Sequence, residues 1–530
     1  MLTNIKTYKP FTACVNDLKE KYGERFEYYN GFHEDQLSLT EFIDNFEDTV
    51  TVGDVTIDPS ANSANKDIRT LMNDMMKPYQ KVLCFNKIFY ELVKRFDLKT
   101  ARKWLEAEWN GTFYLHNATT STFLPYCFAY DLDELVEKGL FFLDSFGANP
   151  AKHLFTYNSH VLEFISWAAN RTSGAVGLPS YLIYSFWFWK KDVENGYYLK
   201  SPEYYRDQSF QEFIYNLNQP YLRITESAFT NITIMDREYL MEIFGGREYP
   251  DGTFVIDYVD EIIEYQKAFM QMVSKIRYER MMTFPVLTYS LLFQNDKFVD
   301  EEFAKWCVEH NMEWNDSNFY VGNDVTSLSS CCRLISNFDE LSKSKKAKGF
   351  INSIGGTSLR IGSVQVNTIN LVRLAKLVKC MDCKTIDEEI KQYYALLNEY
   401  QELSMKVLDT IRHIIKRNIE KGLLPNYSFK LITMEDQFST CGITGMYETI
   451  REFDLIEEDE FGNKTYSKKG LEFASTILDK IKENINEFTK DKNYNINVEN
   501  VPGESANVKL CQKDLDLFET DMYALLFEEI

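Results

Sequence analysis

Apolar positions along the chain follow two periods. Between residues 67 and 96, Ile68, Leu71, Met75, Val82, Phe85, Ile88, Phe89 and Leu92 recur at helical spacing. Pro78 inside that stretch predicts a kink or a division. Residues 151–190 form an aromatic, helix-rich zone broken by Thr172-Ser-Gly-Ala-Val-Gly177. Residues 213–233 and 283–292 are rich in β-branched and aromatic side chains and read as strands, with an amphipathic helix over 261–277 between them. Thr385-Ile-Asp-Glu388 is a capping box, in which hydroxyl and carboxylate satisfy free backbone N–H groups. It opens a long helix through Ile390, Leu397, Leu403, Leu408, Ile411 and Ile415, stopped at Gly422 with Pro425 beyond. Residues 467–488 read as a further helix, and Tyr494-Asn-Ile-Asn-Val498 alternates like a strand. Short helices are expected in the acidic, aromatic first 60 residues, for instance over 39–46. Strands alternating with helices predict an α/β fold with parallel pairing.

Composition narrows the class. A chain of 530 residues is long enough for three or four domains, or for one large α/β barrel with additions. Its net charge of −22 argues against non-specific nucleic-acid binding, which needs basic patches on phosphate, but leaves nucleotide binding open. No apolar run nears the roughly 18 residues of a membrane span, and the start has no apolar signal core. The ten cysteines are therefore expected as reduced thiols in a cytoplasmic protein without a membrane partner. Cys380-Met-Asp-Cys383 stands alone and cannot complete a four-thiolate site, so it reads as two half-buried cysteines near a helix start. The histidines form no H-x-x-H pair, and no metal is expected in this chain.

Four segments carry chemistry. Ser330-Cys331-Cys332-Arg333 places vicinal thiols on a turn. Ile354-Gly-Gly-Thr-Ser-Leu-Arg-Ile-Gly-Ser363 runs from there into Val364-Gln-Val-Asn-Thr-Ile-Asn370-Leu-Val-Arg373. Tyr114-Leu-His-Asn117 is followed by Pro125-Tyr-Cys-Phe-Ala-Tyr-Asp131, and Pro502-Gly-Glu-Ser-Ala-Asn507 lies between an expected strand and a helix. A thiol on a tight turn between polar, glycine-rich segments suits reactivity better than packing, although Cys332 alone would read as a buried, inert cysteine. The small-residue turn at 503–507 offers free N–H groups and a positive dipole end to an anion, a common feature when taken alone.

Together the segments resemble the large subunit of anaerobic (class III) ribonucleotide reductases. The resemblance implies the ten-stranded α/β barrel of the ribonucleotide reductase and glycyl radical enzyme type. It places a helical N-terminal region at 1–100, the barrel at 101–530, and a finger loop near 322–370. Cys332 matches the thiyl-bearing position, which takes the 3′-hydrogen of the ribose so that the 2′-hydroxyl can leave as water. Leu334 replaces the glutamate base of aerobic relatives. Cys127 matches the cysteine serving the 2′ face. His116-Asn117 stands where the family has His-Asp, and His116 reads equally as active-site wall or as structural histidine. Ser363 occupies the position of a second redox cysteine and cannot form a disulfide with Cys127. Gly503, Glu504, Ser505, Ala506 and Asn507 match the loop that holds substrate phosphates, and Ser227–Asn231 and Gly442–Glu448 match pocket walls.

The resemblance further implies formate as reductant and a ribonucleoside triphosphate as substrate. It also implies dNTP and ATP effectors acting through 151–190 at a homodimer interface. Nothing after Asn507 resembles the family's zinc ribbon or its glycyl-radical loop, so the barrel is expected to be incomplete at its C-terminal end. Either a complementing glycyl-radical polypeptide or a continuation of this same chain is then expected to carry the radical, with an S-adenosylmethionine 4Fe–4S activase as partner. The competing expectation is a catalytically inactive fragment that binds nucleotides or regulates a reductase. A cobalamin-dependent reductase is disfavoured by Ser363 and by Cys332-Arg333-Leu334.

Overall fold

The computed structural model describes residues 6–22, 43–44, 71–72, 75–143, 146–219, 222–223, 227–280, 282–323, 327–330, 334–337, 360–458, 460–500 and 504–518. At 78, 327–330, 334–337, 500, 504–505 and 516–518 it describes the backbone alone. In chain order the strands are β1 (Phe113–Leu115), β2 (Cys127–Ala129), β3 (Val176–Gly177), β4 (Thr230–Met235), β5 (Val286–Gln294), β6 (Lys297–Phe298) and β7 (Ser317–Gly322). Then follow β8 (Ser327–Ser330), β9 (Leu334–Asn337), β10 (Gly362–Asn370), β11 (Gln437–Thr444), β12 (Ile456–Glu458), β13 (Lys464–Tyr466) and β14 (Ile496–Asn500).

Ten of these form one mixed sheet in the order β14-β11-β10-β2-β3-β4-β5-β6, with β1 also on β10 and β7 on β5. The strands β2, β3, β4, β5 and β7 run parallel. So do β10, β11 and β14. The two groups meet antiparallel where β2 lies on β10. Every residue of β10 is buried. A strand covered on both faces needs β-branched and small residues throughout, which is the character of its sequence. The helix Ile386–Glu420 covers β10 and β11 from one side, burying Leu397, Leu403, Leu408, Ile411 and Ile415.

The helices Lys77–Arg95 and Leu98–Asn110 pack on each other and on that long helix. Phe85 meets Trp104 edge-on at 5.5 Å. Phe11, Phe89, Trp104, Val364 and Ile496 belong to one continuous core. Helix Leu98–Asn110 crosses residue 100, where the N-terminal region was expected to end. Of the helix expected over 39–46, only Ile43 and Asp44 are described, and they are helical.

Three local expectations change. Residues 213–217 complete the helix Pro202–Leu217, and β4 starts only at Thr230. Phe210, Phe213, Ile214 and Leu217 are buried at helical spacing, and Phe213 stacks on Tyr181 at 4.2 Å. Period therefore outweighs aromatic content there. Pro78 starts the helix Lys77–Arg95 instead of kinking it, since the first turn needs no N–H from proline. In the capping box, Thr385 accepts from Glu388 N at 3.2 Å, while the Glu388 carboxylate accepts from Lys384 N at 2.8 Å. The expected helix and strand near 467–488 and 494–498 are found at Lys468–Thr489 and Ile496–Asn500.

Candidate active site

The seam between the two parallel groups builds the site. Both β1 and β2 pair with the same edge of β10, at its C-terminal and N-terminal ends respectively. They are one interrupted strand, and the excursion from His116 to Tyr126 lies between them. Cys127 falls directly opposite Ser363. Residues opposite one another in an antiparallel pair project from the same face, with Cβ atoms about 4.5–5.5 Å apart.

A β-bulge lies beside this pair: the register of β10 against β11 slips between Ser363 and Val366. Bulges next to a site re-aim side chains. Tyr126 N clasps the bulge by donating to the carbonyls of Ser363 at 3.2 Å and Val364 at 3.1 Å. The Ser363 hydroxyl has one proton for two acceptors, Thr440 Oγ1 at 2.7 Å and the Gln365 carbonyl at 3.1 Å. Thr440 Oγ1 in turn donates to Asn497 Oδ1 at 2.7 Å. A row of uncharged hydroxyl and amide groups thus crosses β10, β11 and β14.

Cys127 is buried, and its Sγ accepts from Ala175 N at 3.1 Å. Two glycines bracket it. A Cβ on Gly174 would stand 2.3 Å from Cys127 Sγ, and one on Gly362 would stand 2.2 Å from the Cys127 carbonyl. Gly174 belongs to the segment that read only as a helix breaker, and Gly362 to a segment read only for its serine. No sequence pattern marks either as a support for the thiol, because the neighbour each must clear is distant in the chain.

His116 continues the ladder, donating from its backbone N to Val366 O at 3.2 Å. Its Nε2 bonds Thr368 Oγ1 at 2.8 Å, and the ring lies edge-on to Tyr114 at 4.8 Å and Tyr126 at 6.1 Å. Burial pushes its pKa from 6.5 to about 4, so the ring is neutral near pH 7. Asn117 adopts φ +45° and is exposed, and its amide donates to Ser173 O. It connects the excursion to the loop that carries Gly174.

The other end of β10 is built differently. At the C-terminal ends of β10 and β11, the helices Leu371–Lys379 and Met446–Glu452 start, and after β14 comes Glu504–Phe518. Thr444 Oγ1 donates to Asn507 Oδ1 at 2.9 Å, bringing the start of the last helix to β11. Ala506 is buried and Asn507 exposed. Gly503 lies outside the described residues, and the side chains of Glu504 and Ser505 do too. Asn370 caps Leu371–Lys379 and donates to Asp514 Oδ2 at 3.1 Å. Lys513 Nζ donates to Glu108 O at 3.0 Å, and Lys509 Nζ sits 5.8 Å from the Tyr114 ring. Burial lowers the pKa of Lys81, which also feels Glu108 and Lys509.

Cys331, Cys332 and Arg333 lie outside the described residues. The strands on either side of them, β8 and β9, form an antiparallel hairpin, and β8 lies against β4, β5 and β7. Of the expected walls, Ser227 and Thr230 are buried beside β4, and Gly442 to Thr444 close β11. Cys380 and Cys383 lie between the end of the helix Leu371–Lys379 and the start of Ile386–Glu420, near a helix start as expected, with Cys383 half-buried but Cys380 exposed. Among the described residues no group of three or more His, Cys, Asp or Glu could hold a metal, and no helix is long and apolar enough to cross a membrane.

The family model for anaerobic ribonucleoside-triphosphate reductase matches residues 73–525. No curated protein is significantly similar to the chain. Solved structures are. The anaerobic ribonucleotide reductase from Thermotoga maritima in complex with dATP and CTP is 35% identical, with a TM-score of 0.83, covering 97% of this chain and 79% of that one. The T. maritima structure with citrate in the active site is 34% identical, with a TM-score of 0.82, covering 97% of this chain and 87% of that one. The ten-stranded sheet and its helices are the barrel fold of ribonucleotide reductases and glycyl radical enzymes. By family match and by structure, the chain belongs to the anaerobic ribonucleoside-triphosphate reductases, as a class III large subunit and an oxidoreductase acting on nucleotides.

Proposed function

We propose that this chain reduces ribonucleoside triphosphates to deoxyribonucleotides by thiyl-radical chemistry, with formate as the reductant. The observation that supports it most is the pairing of Cys127 with Ser363 across the seam. One thiol opposite a hydroxyl can donate hydrogen but cannot close a disulfide. This pair therefore calls for an external source of two reducing electrons, and the family resemblance implies formate. The balance is ribonucleotide plus formate plus one proton, giving deoxyribonucleotide, carbon dioxide and water.

In this reading the Cys332 sulfur takes the 3′-hydrogen from one face of the ribose, and the 2′-hydroxyl leaves as water. Cys127, on the other face, returns a hydrogen to C2′ and becomes a sulfur radical. Formate gives its hydrogen to that sulfur and its remaining electron, with a proton, to the 3′-ketone, leaving as carbon dioxide. Cys332 then returns its hydrogen to C3′. His116, Asn117 and Ser363 form an uncharged wall. A neutral His116 suits it, since it offers a fixed hydrogen bond without adding charge. Backbone N–H groups of Glu504 to Asn507, with Gly503 before them, cradle the phosphates at the helix start. A glycyl radical of the family type, installed by an S-adenosylmethionine 4Fe–4S activase, would supply the unpaired electron. Nucleotide effectors such as dATP or ATP act on a homodimer through the helices Leu154–Ala169 and Tyr181–Glu194.

The test is turnover with carbon-labelled formate, after the glycyl radical has been installed by the activase. One labelled carbon dioxide per deoxynucleotide is expected. Cys332→Ser should abolish product while leaving nucleotide binding intact. Product formed without formate consumption, or normal turnover by Cys332→Ser, would overturn the reading.

A further inference from the structure

The helix Glu504–Phe518 is held at its far end by a buried charge pair. Arg373 Nε donates to Asp514 Oδ1 at 2.5 Å, and both side chains are almost wholly buried, at 1% and 3% exposure. The second carboxylate oxygen, Asp514 Oδ2, accepts from Asn370 Nδ2 at 3.1 Å. Asn370 is the last residue of β10 and caps the helix that carries Arg373, accepting from Arg373 N at 3.4 Å. The same amide donates to Gly111 O at 3.2 Å. Gly111 has φ +82°, and a Cβ there would meet Lys513 Cδ at 2.9 Å and Arg373 Nη2 at 3.3 Å. At the near end of the helix, Thr444 holds Asn507 at 2.9 Å.

These contacts tie three pieces that are far apart in sequence: the turn before β1, the end of β10, and the last described helix. The anchor lies between two and three helical turns from the residues proposed to hold phosphate. A backbone cradle binds an anion only if its N–H groups are held in place, because free N–H groups otherwise turn to water. A buried charge pair in which both carboxylate oxygens accept hydrogen bonds resists sliding and rotation of the helix. A lone buried charge is costly, which makes the seated position the favoured one.

We propose that Asp514, Arg373 and Asn370 form a latch that positions the phosphate-binding start of helix Glu504–Phe518 against the ends of β10 and β11. They are positioning residues and touch no substrate. The inference rests on the proposed phosphate role of Gly503 to Asn507.

The full chain, saturated with dATP, is titrated calorimetrically with CTP, CDP and CMP. Wild type should bind more tightly with each added phosphate. Asp514→Asn should weaken CTP binding by about tenfold or more and flatten the phosphate series, while dATP affinity is kept. In turnover, KM for CTP should rise with kcat at saturation nearly unchanged, a split that a general loss of folding would not produce. If Asp514→Asn fails to fold, the exchange of Arg373→Asp with Asp514→Arg restores the pair, and CTP affinity should recover. CTP binding unchanged in a folded Asp514→Asn chain overturns the latch, while Gly503 and Ser505 replacements that still weaken CTP leave the cradle standing. An exchanged pair that folds but does not recover CTP binding also overturns the latch. A wild-type chain indifferent to phosphate number overturns the cradle reading itself.

Discussion

The two ends of β10 solve opposite problems with the same strand. At its N-terminal end, Gly362 and Ser363 meet Cys127 among hydroxyls and amides. At its C-terminal end, Asn370 leads into Arg373, Asp514 and the lysines around Glu108. Hydrogen transfer at carbon needs a tightly shaped site with little charge to solvate, and steric limits define the first end. Holding a polyanion, as proposed for the second end, needs fixed donors and rigid charge, and paired charges define that end. The two ends stand on one strand of nine residues, and four experiments can break or sharpen the contrast.

The largest effect is expected at the uncharged end, from a single methyl group. Gly174→Ala puts a carbon 2.3 Å from Cys127 Sγ. Either the sulfur or the loop must move, and overpacking of this kind costs roughly 1–3 kcal/mol. Because a displacement of about 1 Å can cost on the order of a hundredfold in rate, turnover should fall at least that far. Nucleotide affinity should change little, as the proposed phosphate site at the other end is untouched. Turnover within threefold of wild type would show that Cys127 is not held by this contact.

Next comes the charged end. Arg373→Ala leaves Asp514 buried without its partner, a loss of about 3–5 kcal/mol by the usual cost of breaking a buried pair. Urea unfolding should show it. A loss under about 1 kcal/mol would mean that water reaches the carboxylate. Gly174→Ala and Arg373→Ala should also separate by kind: the first loses mainly rate with a smaller loss of stability, the second mainly stability.

Much of this was legible in the residues. Helical period located Ile386–Glu420 and Lys468–Thr489 closely, because long amphipathic runs with caps leave few alternatives. The family motifs brought Cys127 and Ser363 together before any register was known. What the chain order hides is contact between distant segments. Gly174, Gly362, Thr440 and Asp514 acquire their roles only through neighbours far away in sequence. The strand expected over 213–233 failed for a local reason, since buried aromatics at three- and four-residue spacing fit a helix as readily as β-propensity fits a strand.

The third experiment reads His116. Its proton binds below about 4 in the folded chain and near 6.5 when unfolded. Between those values the unfolded chain holds more protons, so stability is complete above pH 6.5 and falls as pH drops toward 4. The full loss is about 3 kcal/mol. His116→Gln should remove this part of the acid sensitivity, seen as a flatter slope of urea stability against pH. An unchanged slope would assign the acid loss to other groups.

The smallest change in stability, and the most direct test of the seam, is Ser363→Cys. Sulfur replaces the smaller oxygen in an otherwise identical side chain. The bond to Thr440 weakens, and the cost is about 1 kcal/mol or less by the net value of one neutral hydrogen bond. The new thiol stands directly opposite Cys127. Disulfides need Cβ atoms about 3.5–4.5 Å apart, against about 4.5–5.5 Å for opposite residues in a ladder, so closure needs a shift of roughly 1 Å. The Gly174 and Gly362 contacts oppose that shift at Cys127, so the β10 side of the pair must make it, and the bulge between Ser363 and Val366 gives it room. A strained disulfide is expected, formed under mild oxidant and reopened by low dithiothreitol, as read by peptide mass spectrometry. Its closure should protect Cys127 from alkylation. If oxidation never joins residues 127 and 363, the two do not share a face, and the single-thiol argument for an external reductant falls with the register.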